Sequence, residues 1–502
     1  MKFQDATTKE IDNILGEAWQ AFGVYRRTTL KQRADLMRAI ARGLETAGDE
    51  LIKTAMRETN LAEARLKNER TRTMFQLTSY AEACEAGHWL EARIDTEADG
   101  NPDIRKQQVP LGPVVVFGAS NFPFAYSTAG GDTATALAAG CPVIVKGHPA
   151  HAETSYRVAE IIAKAVAEAG LPKGIFAHVH GLSFETGKAL VTHPYTRAVG
   201  FTGSYGGGKA LFDWANQRPQ PIPVFAEMGS INPVFLLPGK LKEDARELAG
   251  LLAGSVTLGT GQFCTNPGLI LGVDGEELGT FIRELGAAVA NTSPGTMLHP
   301  GIAKAYAEKR GAALTQASVE TVAVSAAAAQ DNQGVPTIAS ASGEAFLNNP
   351  LLHQEVFGPY SLVVRCKDMA ELTKVAGLLE GQLTVSLMAT DKDLADHPAL
   401  VEVAQDICGR LILNNVPTGV RVSLAMQHGG PFPATTDSRF SSVGADGIKR
   451  WVRPVAYQNW SDAHLPDALK NENPLHIWRT VNNQLTQDPI DALEGTRPKD
   501  RH

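Results

Sequence analysis

The chain has 502 residues, 43% of them apolar and 20% charged, enough for about three domains of ordinary size with ample core. Its 47 basic and 54 acidic side chains leave a formal charge of −7, so neither nucleic acid nor an anionic membrane is expected as a partner. Five scattered cysteines without a CxxC pair speak against a disulfide framework or a thiolate zinc site.

No apolar run approaches the roughly 18 residues of a membrane span, and the start of the chain carries no apolar core of a secretory signal. A cytoplasmic protein is expected. Helices come first in the chain. Thr7-Thr8-Lys9-Glu10 reads as a capping box, in which hydroxyl and carboxylate satisfy the free amides of a helix start. Ile11, Ile14, Leu15, Ala18, Trp19 and Phe22 follow at helical spacing, and Gly23 is the expected stop. Thr29 to Gln32 opens a second helix in the same way.

From Gln107 the texture changes to short apolar runs bounded by Gly and Pro, alternating with helical stretches. Strands are predicted at 114–117, 142–146, 175–179, 198–201, 224–226 and 234–237, with helices at 128–139, 154–169, 184–192 and 207–216. Apolar strands joined by helices imply a parallel sheet covered on both faces, an α/β class. A second α/β region spans about 241–420, with strands at 269–273, 362–364, 383–386 and 410–414. The Ala- and Ser-rich stretch 318–343 reads as a surface excursion. The polar, Pro-containing tail after Trp460 reads as packed on a neighbouring subunit or loosely held.

Ligands of parallel sheets sit beyond the carboxyl ends of the strands, and four segments there could carry chemistry. Asn121 follows the first strand, placed either to donate an amide hydrogen into a cleft or simply to make a turn. The small residues of Thr202-Gly203-Ser204 lead into a helix start, where free amides favour phosphate, although the segment is not a GxGxxG fingerprint. Glu227 follows another strand. Cys264 sits in a Gly-rich polar turn, poor surroundings for core packing, whereas Cys84, Cys141, Cys366 and Cys408 lie in helical or apolar contexts. The histidines show no metal-ligand spacing, so no metal site is expected.

Taken in order, Asn121-Phe122-Pro123, Phe201 to Ser204, Glu227 to Ser230, Gly261 to Cys264 and Glu355 to Pro359 resemble the motifs of the aldehyde dehydrogenase superfamily. The resemblance implies two Rossmann-like parallel-sheet domains plus a small oligomerisation arm. The expected division is 1–94 and 112–240 for the cofactor domain, 241–440 for the domain carrying the nucleophile, and 95–111 and 441–502 for the arm and tail. A homodimer or homotetramer is expected. By the same resemblance Cys264 is the nucleophile, Asn121 an oxyanion donor and Glu227 the base that activates water. Lys146 would bond the adenosine ribose, Gly203, Ser204 and Gly208 would lie by the pyrophosphate, Glu355 on the nicotinamide ribose and Phe357 beside the ring. The residue types suit aldehyde oxidation: a thiolate adding to the carbonyl creates the sp³ carbon from which hydride can leave.

Two departures narrow the expectation. Many members carry a Glu three residues after the lysine, where it favours NAD; here Pro149 stands in that place. A carboxylate would repel a 2′-phosphate, so NADP, held by Lys146 with His148, is the expected cofactor, with NAD also used. The stretches 415–420, 426–431 and 434–440 lack the usual loop pattern. They are similar to the branch of α-ketoglutaric semialdehyde (2,5-dioxovalerate) dehydrogenases and of an NADP-linked long-chain fatty aldehyde dehydrogenase. The first substrate, a small dioxo acid, is preferred, with the fatty aldehyde as the alternative. Arg421 is a candidate carboxylate anchor or, the favoured reading, simply a surface arginine, and Phe122 and Phe263 are candidate lining. A non-catalytic binding protein would have no need of Asn121, Glu227 and Cys264, and a thiol hydrolase none of the cofactor residues.

Overall fold

The computed structural model describes residues 3–98 and 100–490. Positions 1–2 of the expected cofactor domain, 99 of the arm and 491–502 of the tail lie outside the described residues. Thr7 caps the helix Thr8–Tyr25, accepting from the Glu10 amide at 3.2 Å while the Glu10 carboxylate takes the Thr7 N–H at 2.7 Å. Thr29 and Gln32 repeat the device at Leu30–Thr46. The first helix runs past the expected stop at Gly23, because buried Phe22 and Tyr25 continue its packed stripe.

The first sheet has five parallel strands in the order Phe176–Val179, Val143–Lys146, Val114–Phe117, Ala198–Thr202, Val224–Glu227. In chain order this is 3-2-1-4-5, so the winding reverses between Val114–Phe117 and Ala198–Thr202. Helices such as Gly131–Ala139 and Ala152–Glu168 supply the crossovers.

The second sheet has seven strands, Val319–Val324, Thr337–Ser342, Tyr360–Cys366, Leu269–Val273, Val234–Leu236, Gln382–Met388 and Cys408–Leu413. Only the outermost Val319–Val324 runs antiparallel to its neighbour. Two expectations are corrected here. The strand at 234–236 pairs with Leu269–Val273 and Gln382–Met388, not with the first sheet, so 234–240 does not belong with the cofactor sheet. Its fully apolar sequence suits the interior of either sheet, which is why the run alone could not place it. The 318–343 stretch gives this sheet the strands Val319–Val324 and Thr337–Ser342, with Thr337 to Ala341 buried, and only the segment 326–331 between them is exposed surface. The helix Glu276–Ala290 packs closely on the edge strand: a Cβ on Gly286 would stand 3.1 Å from Val322 and 3.4 Å from Ala323.

A third sheet joins Val452–Gln458, Ile104–Pro110, Arg93–Asp95, Arg479–Val481 and Gln484–Thr486. As far as Ile490 the tail is therefore not loose: Arg479–Val481 and Gln484–Thr486 are strands of this sheet. Arg479 is 1% exposed and its guanidinium donates to the Asn471 carbonyl at 2.7 Å, while Arg105 donates to the Leu469 carbonyl at 2.6 Å. Among the described residues no helix is long and apolar enough to cross a membrane.

Candidate active site

The site grows out of the point where the first sheet reverses its winding. Crossovers leaving a strand pair in opposite directions open a crevice at the carboxyl ends. Asn121 lies beyond Val114–Phe117 and Gly203-Ser204 beyond Ala198–Thr202, on the two sides of that crevice. Glu227 ends the next strand, and the Gly203 amide donates to its carbonyl at 3.0 Å.

After Glu227 the chain crosses to the second sheet. On the way Asn232, fully buried and at a left-handed φ of 47°, donates from Nδ2 to the carbonyls of Cys264 (2.8 Å) and Asn266 (3.0 Å). The crossover thus holds the nucleophile loop in place. That loop follows the turn Leu258–Gly261, where Gly259, Thr260 and Gly261 have φ of 55°, 59° and 63°. Gly261 is demanded by space as well: a Cβ there would stand 2.2 Å from the Gly358 carbonyl carbon. The two segments 261–264 and 355–359, far apart in sequence, therefore fold against each other.

Cys264 Sγ lies 3.7 Å from His428 Nε2, and that nitrogen lies 3.2 Å from Glu227 Oε2. Ser442 Oγ donates to the same carboxylate oxygen at 3.0 Å. Glu227 and His428 are 3% and 1% exposed, and Glu227 Oε1 is buried without a protein partner. Asn121 Nδ2 donates to the Gln262 carbonyl at 3.1 Å, which brings the amide to the Cys264 loop. One ligand atom each of Glu227, Cys264 and His428 lies within 4.8 Å of the other two. The expectation that no metal-capable cluster exists is corrected to that extent, since the fold gathers donors that the sequence scatters.

Charge and burial set the resting protonation. Burial, the Glu227 charge and the hydrogen bond to Glu227 push the Cys264 thiol well above its ordinary value, with Arg72 pulling the other way. Burial also opposes ionisation of Glu227. The His428 ring and the hydrogen bonds from His428, Ser442 and Cys264 outweigh it and hold the carboxyl below its usual range. The resting pair is a neutral thiol beside a carboxylate. With Glu227 ionised, the hydrogen bond it shares with His428 requires the proton on Nε2.

A cleft of about 610 Å³ is lined by Asn121, Glu227 and Cys264 together with Lys146, Gly203, Ser204, Glu355 and Phe357. A Cβ on Gly203 or Gly207 would stand 2.6 or 2.9 Å from the Phe201 ring, so only glycine fits beside it. Ser204 caps the helix Tyr205–Asn216 by accepting the Gly207 amide at 3.3 Å. Such a helix start offers its remaining amides to a phosphate.

The description of the aldehyde dehydrogenase family matches residues 1–441 of the chain. The chain belongs to that family. It is 48% identical over 484 residues to alpha-ketoglutaric semialdehyde dehydrogenase 2 of Azospirillum brasilense, covering 95% of this chain and 92% of that one. It is 44% identical over 492 residues to alpha-ketoglutaric semialdehyde dehydrogenase of Acinetobacter baylyi, covering 97% and 93%. In fold it matches the crystal structure of glyceraldehyde-3-phosphate dehydrogenase GapN from Methanocaldococcus jannaschii complexed with NADP. There the TM-score is 0.77 and the identity 17%, over 91% of this chain and 95% of that one. An NAD-dependent aldehyde dehydrogenase from Sinorhizobium meliloti matches at TM-score 0.76 and 21% identity, over 90% and 87%. The protein is an oxidoreductase.

Most of the expected cofactor residues of this aldehyde dehydrogenase line the cleft, but three expectations change. Gly208 is buried one position deeper in its helix, where a Cβ would stand 2.6 Å from Met228 Cγ; Gly207 faces the cleft instead. His148 lines the cleft, but burial and the neighbouring His151, Lys146 and His299 depress its pKa well below the usual imidazole value, so Lys146 carries the positive charge. Arg421 is exposed, beyond a loop whose Pro417 and Gly419 carbonyls are taken by Arg410 at 2.6 and 2.9 Å. No bond joins it to Asn121, Glu227 or Cys264. Phe122 and Phe263 meet edge to face at 5.7 Å with Arg65 over both rings, at 5.1 and 5.0 Å.

Sequence reasoning assigned no role to His428, Ser442 or Asn232. A signal was present at His428, which is followed by Gly429 and Gly430. A Cβ on Gly430 would stand 2.0 Å from the Gln382 carbonyl oxygen, so that glycine pins the histidine's loop to the second sheet.

Proposed function

We propose that this aldehyde dehydrogenase oxidises 2,5-dioxopentanoate (α-ketoglutaric semialdehyde) to 2-oxoglutarate, using NADP in preference to NAD. The observation that carries the substrate is the likeness, at 48% and 44% over nearly the whole chain, to two enzymes named for that aldehyde. The fatty-aldehyde alternative has no such support.

In the proposed reaction Glu227 Oε2 takes the proton of the Cys264 thiol, and the thiolate sulfur adds to the aldehyde carbon. The Asn121 side-chain amide and the Cys264 backbone N–H hold the resulting oxyanion; one donor of this kind is typically worth about 3 kcal/mol in the barrier. A nicotinamide bound in the cleft would accept the hydride from the tetrahedral carbon, and Cys264 would then carry the acyl group as a thioester. Once Glu227 has released the thiol proton to solvent, its carboxylate takes a proton from the water that attacks the thioester, with Oε1 as the oxygen still open to it. The His428 Nε2–H, between sulfur and carboxylate, steadies the charge in both steps.

The cofactor preference is supported by Pro149 in place of an acid and by Lys146, whose ammonium is partly buried with Asp5 as the acid acting on it. Asp5 is itself engaged by the amides of Leu182 and Ser183, at 2.6 and 2.9 Å. An aldehyde panel including 2,5-dioxopentanoate, pentanal and a long-chain aldehyde, run with each cofactor, tests both assignments. The dioxo acid with NADP is expected to give the highest kcat/KM; a strong NAD preference, or a long-chain optimum, overturns the corresponding half.

Glu355 adds a pH dependence. Burial pushes its carboxyl up to about 7, against the pull of Lys309 and the Ser230 amide. Its carboxylate, the proposed acceptor of the ribose hydroxyls, is therefore lost as pH falls through that value. KM for the cofactor is expected to rise several-fold from about pH 8 to about pH 6, and Glu355→Gln is expected to flatten the profile. Homo-oligomerisation through the third sheet is proposed as well, supported by Trp460, Trp478 and Leu485, which are exposed on it and its flanks.

A further inference from the structure

The helix Glu63–Ala86 turns one face to the segment that follows Asn121. Arg65, Glu69, Arg72 and Gln76 share that face by helical spacing. Glu69 accepts the Phe124 and Ala125 amides at 2.8 and 3.0 Å. Arg65 donates to the Asn121 carbonyl at 2.7 Å and is clamped between Phe122 and Phe263.

Arg72 differs from the other arginines near Cys264. Its guanidinium lies 5.4 Å from the centre of the Tyr126 ring and donates to the Tyr126 hydroxyl at 3.1 Å. It forms no ion pair with a carboxylate among the described residues, and its Nε is buried without a partner. The Tyr126 hydroxyl accepts from Arg72, while its own proton has no acceptor among the described residues. The Tyr126 ring centre is 6.2 Å from that of His428, whose Nε2 is 3.7 Å from the nucleophilic sulfur. Arg410, by contrast, has both terminal nitrogens on main-chain carbonyls. Arg72 is partly exposed, and its charge acts on Glu69 without an ion pair between them, so a carboxylate that reached the guanidinium would gain charge-assisted hydrogen bonds.

We propose that Arg72 and Tyr126 form the subsite that holds the carboxylate of the substrate. Resting on the dioxo-acid reading above, this places the anchor on Arg72 in place of Arg421. The carboxylate of 2,5-dioxopentanoate is four bonds from its aldehyde carbon. With the aldehyde on Cys264, the carboxylate extends past His428 toward a guanidinium N–H and the phenolic O–H, which donate to its two oxygens. Desolvation keeps the Tyr126 hydroxyl protonated, as a donor must be. Glu69 Oε1 is taken by the Phe124 and Ala125 amides; Oε2 has no hydrogen-bond partner and feels the Arg72 charge, yet no hydrogen bond joins the two side chains.

The test compares kcat/KM for 2,5-dioxopentanoate with that for pentanal, which has the same chain length and no carboxylate. In Arg72→Gln the ratio is expected to fall about 10- to 100-fold, mainly through KM for the dioxo acid. Tyr126→Phe is expected to lower it less, and Arg72→Lys to keep part of it. In the unmodified enzyme 2-oxopentanoate, which lacks the aldehyde, is expected to inhibit pentanal oxidation competitively, and pentan-2-one not to. A ratio within threefold of wild type in folded Arg72→Gln, or equal inhibition by the two ketones, overturns the subsite. A wild-type enzyme that does not favour the dioxo acid over pentanal overturns the substrate reading itself, which is a different result.

Discussion

Replacing Glu227 by glutamine is expected to lower steady-state turnover by about 10²–10⁴ and to leave the enzyme stalled as an acyl adduct on Cys264. Glutamine keeps the shape of the side chain and its place beside Ser442 and His428, but it cannot accept a proton from water. With the carboxylate gone, nothing holds the proton on His428 Nε2, and that nitrogen, 3.7 Å from the sulfur, can accept the thiol proton for the first addition. Reduced cofactor should therefore appear as a burst of about one equivalent per subunit, with the adduct visible by intact mass. A second readout has its sign set by electrostatics. The Glu227 charge raises the Cys264 pKa, so removing it lowers that pKa and should speed alkylation of the thiol near neutral pH. A Glu227→Gln enzyme that turns over like wild type, with no adduct, refutes the base assignment.

Cys264→Ala is expected to remove more, with turnover falling by at least about 10⁴ for aldehyde oxidation and for any ester hydrolysis. No other cysteine can substitute. Cys84, Cys141 and Cys366 are buried, and desolvation pushes their thiols up to about 12, 11 and 12. Cys408, also raised to about 11, lies in a strand of the second sheet. The cofactor cleft is lined mainly by other residues, so the variant should still bind NADPH in a fluorescence titration. Residual oxidation at a tenth of the wild-type rate would mean that another group is the nucleophile.

How much of this was legible without coordinates can be judged from particular residues. The capping boxes at Thr7 and Thr29 were readable because a cap spans four consecutive positions. Strands such as Val114–Phe117 and Leu269–Val273 fell on their predicted bounds, since a buried parallel strand is a short apolar run between breakers. Asn121, Gly203, Ser204, Glu227 and Cys264 stood out because each sits where an apolar run or helix gives way to small polar residues, whereas Glu355 was singled out only by the family resemblance. Val234–Leu236 was assigned to the wrong sheet for the complementary reason. Three apolar residues say that they are buried, not against what.

Local order along the chain, then, was settled by the amino-acid sequence itself: caps, glycine-shaped turns and apolar runs draw on neighbours a few residues away. What the tertiary structure decided is everything that depends on meeting across the chain. His428 and Ser442 reach Glu227 over some two hundred positions, Gly358 packs on Gly261, and Arg72 comes to Tyr126. The protonation of the thiol and its carboxylate belongs to the same category. Desolvation and Coulomb forces depend on distance through space and on exclusion of water, and neither exists until the two sheets close over the site.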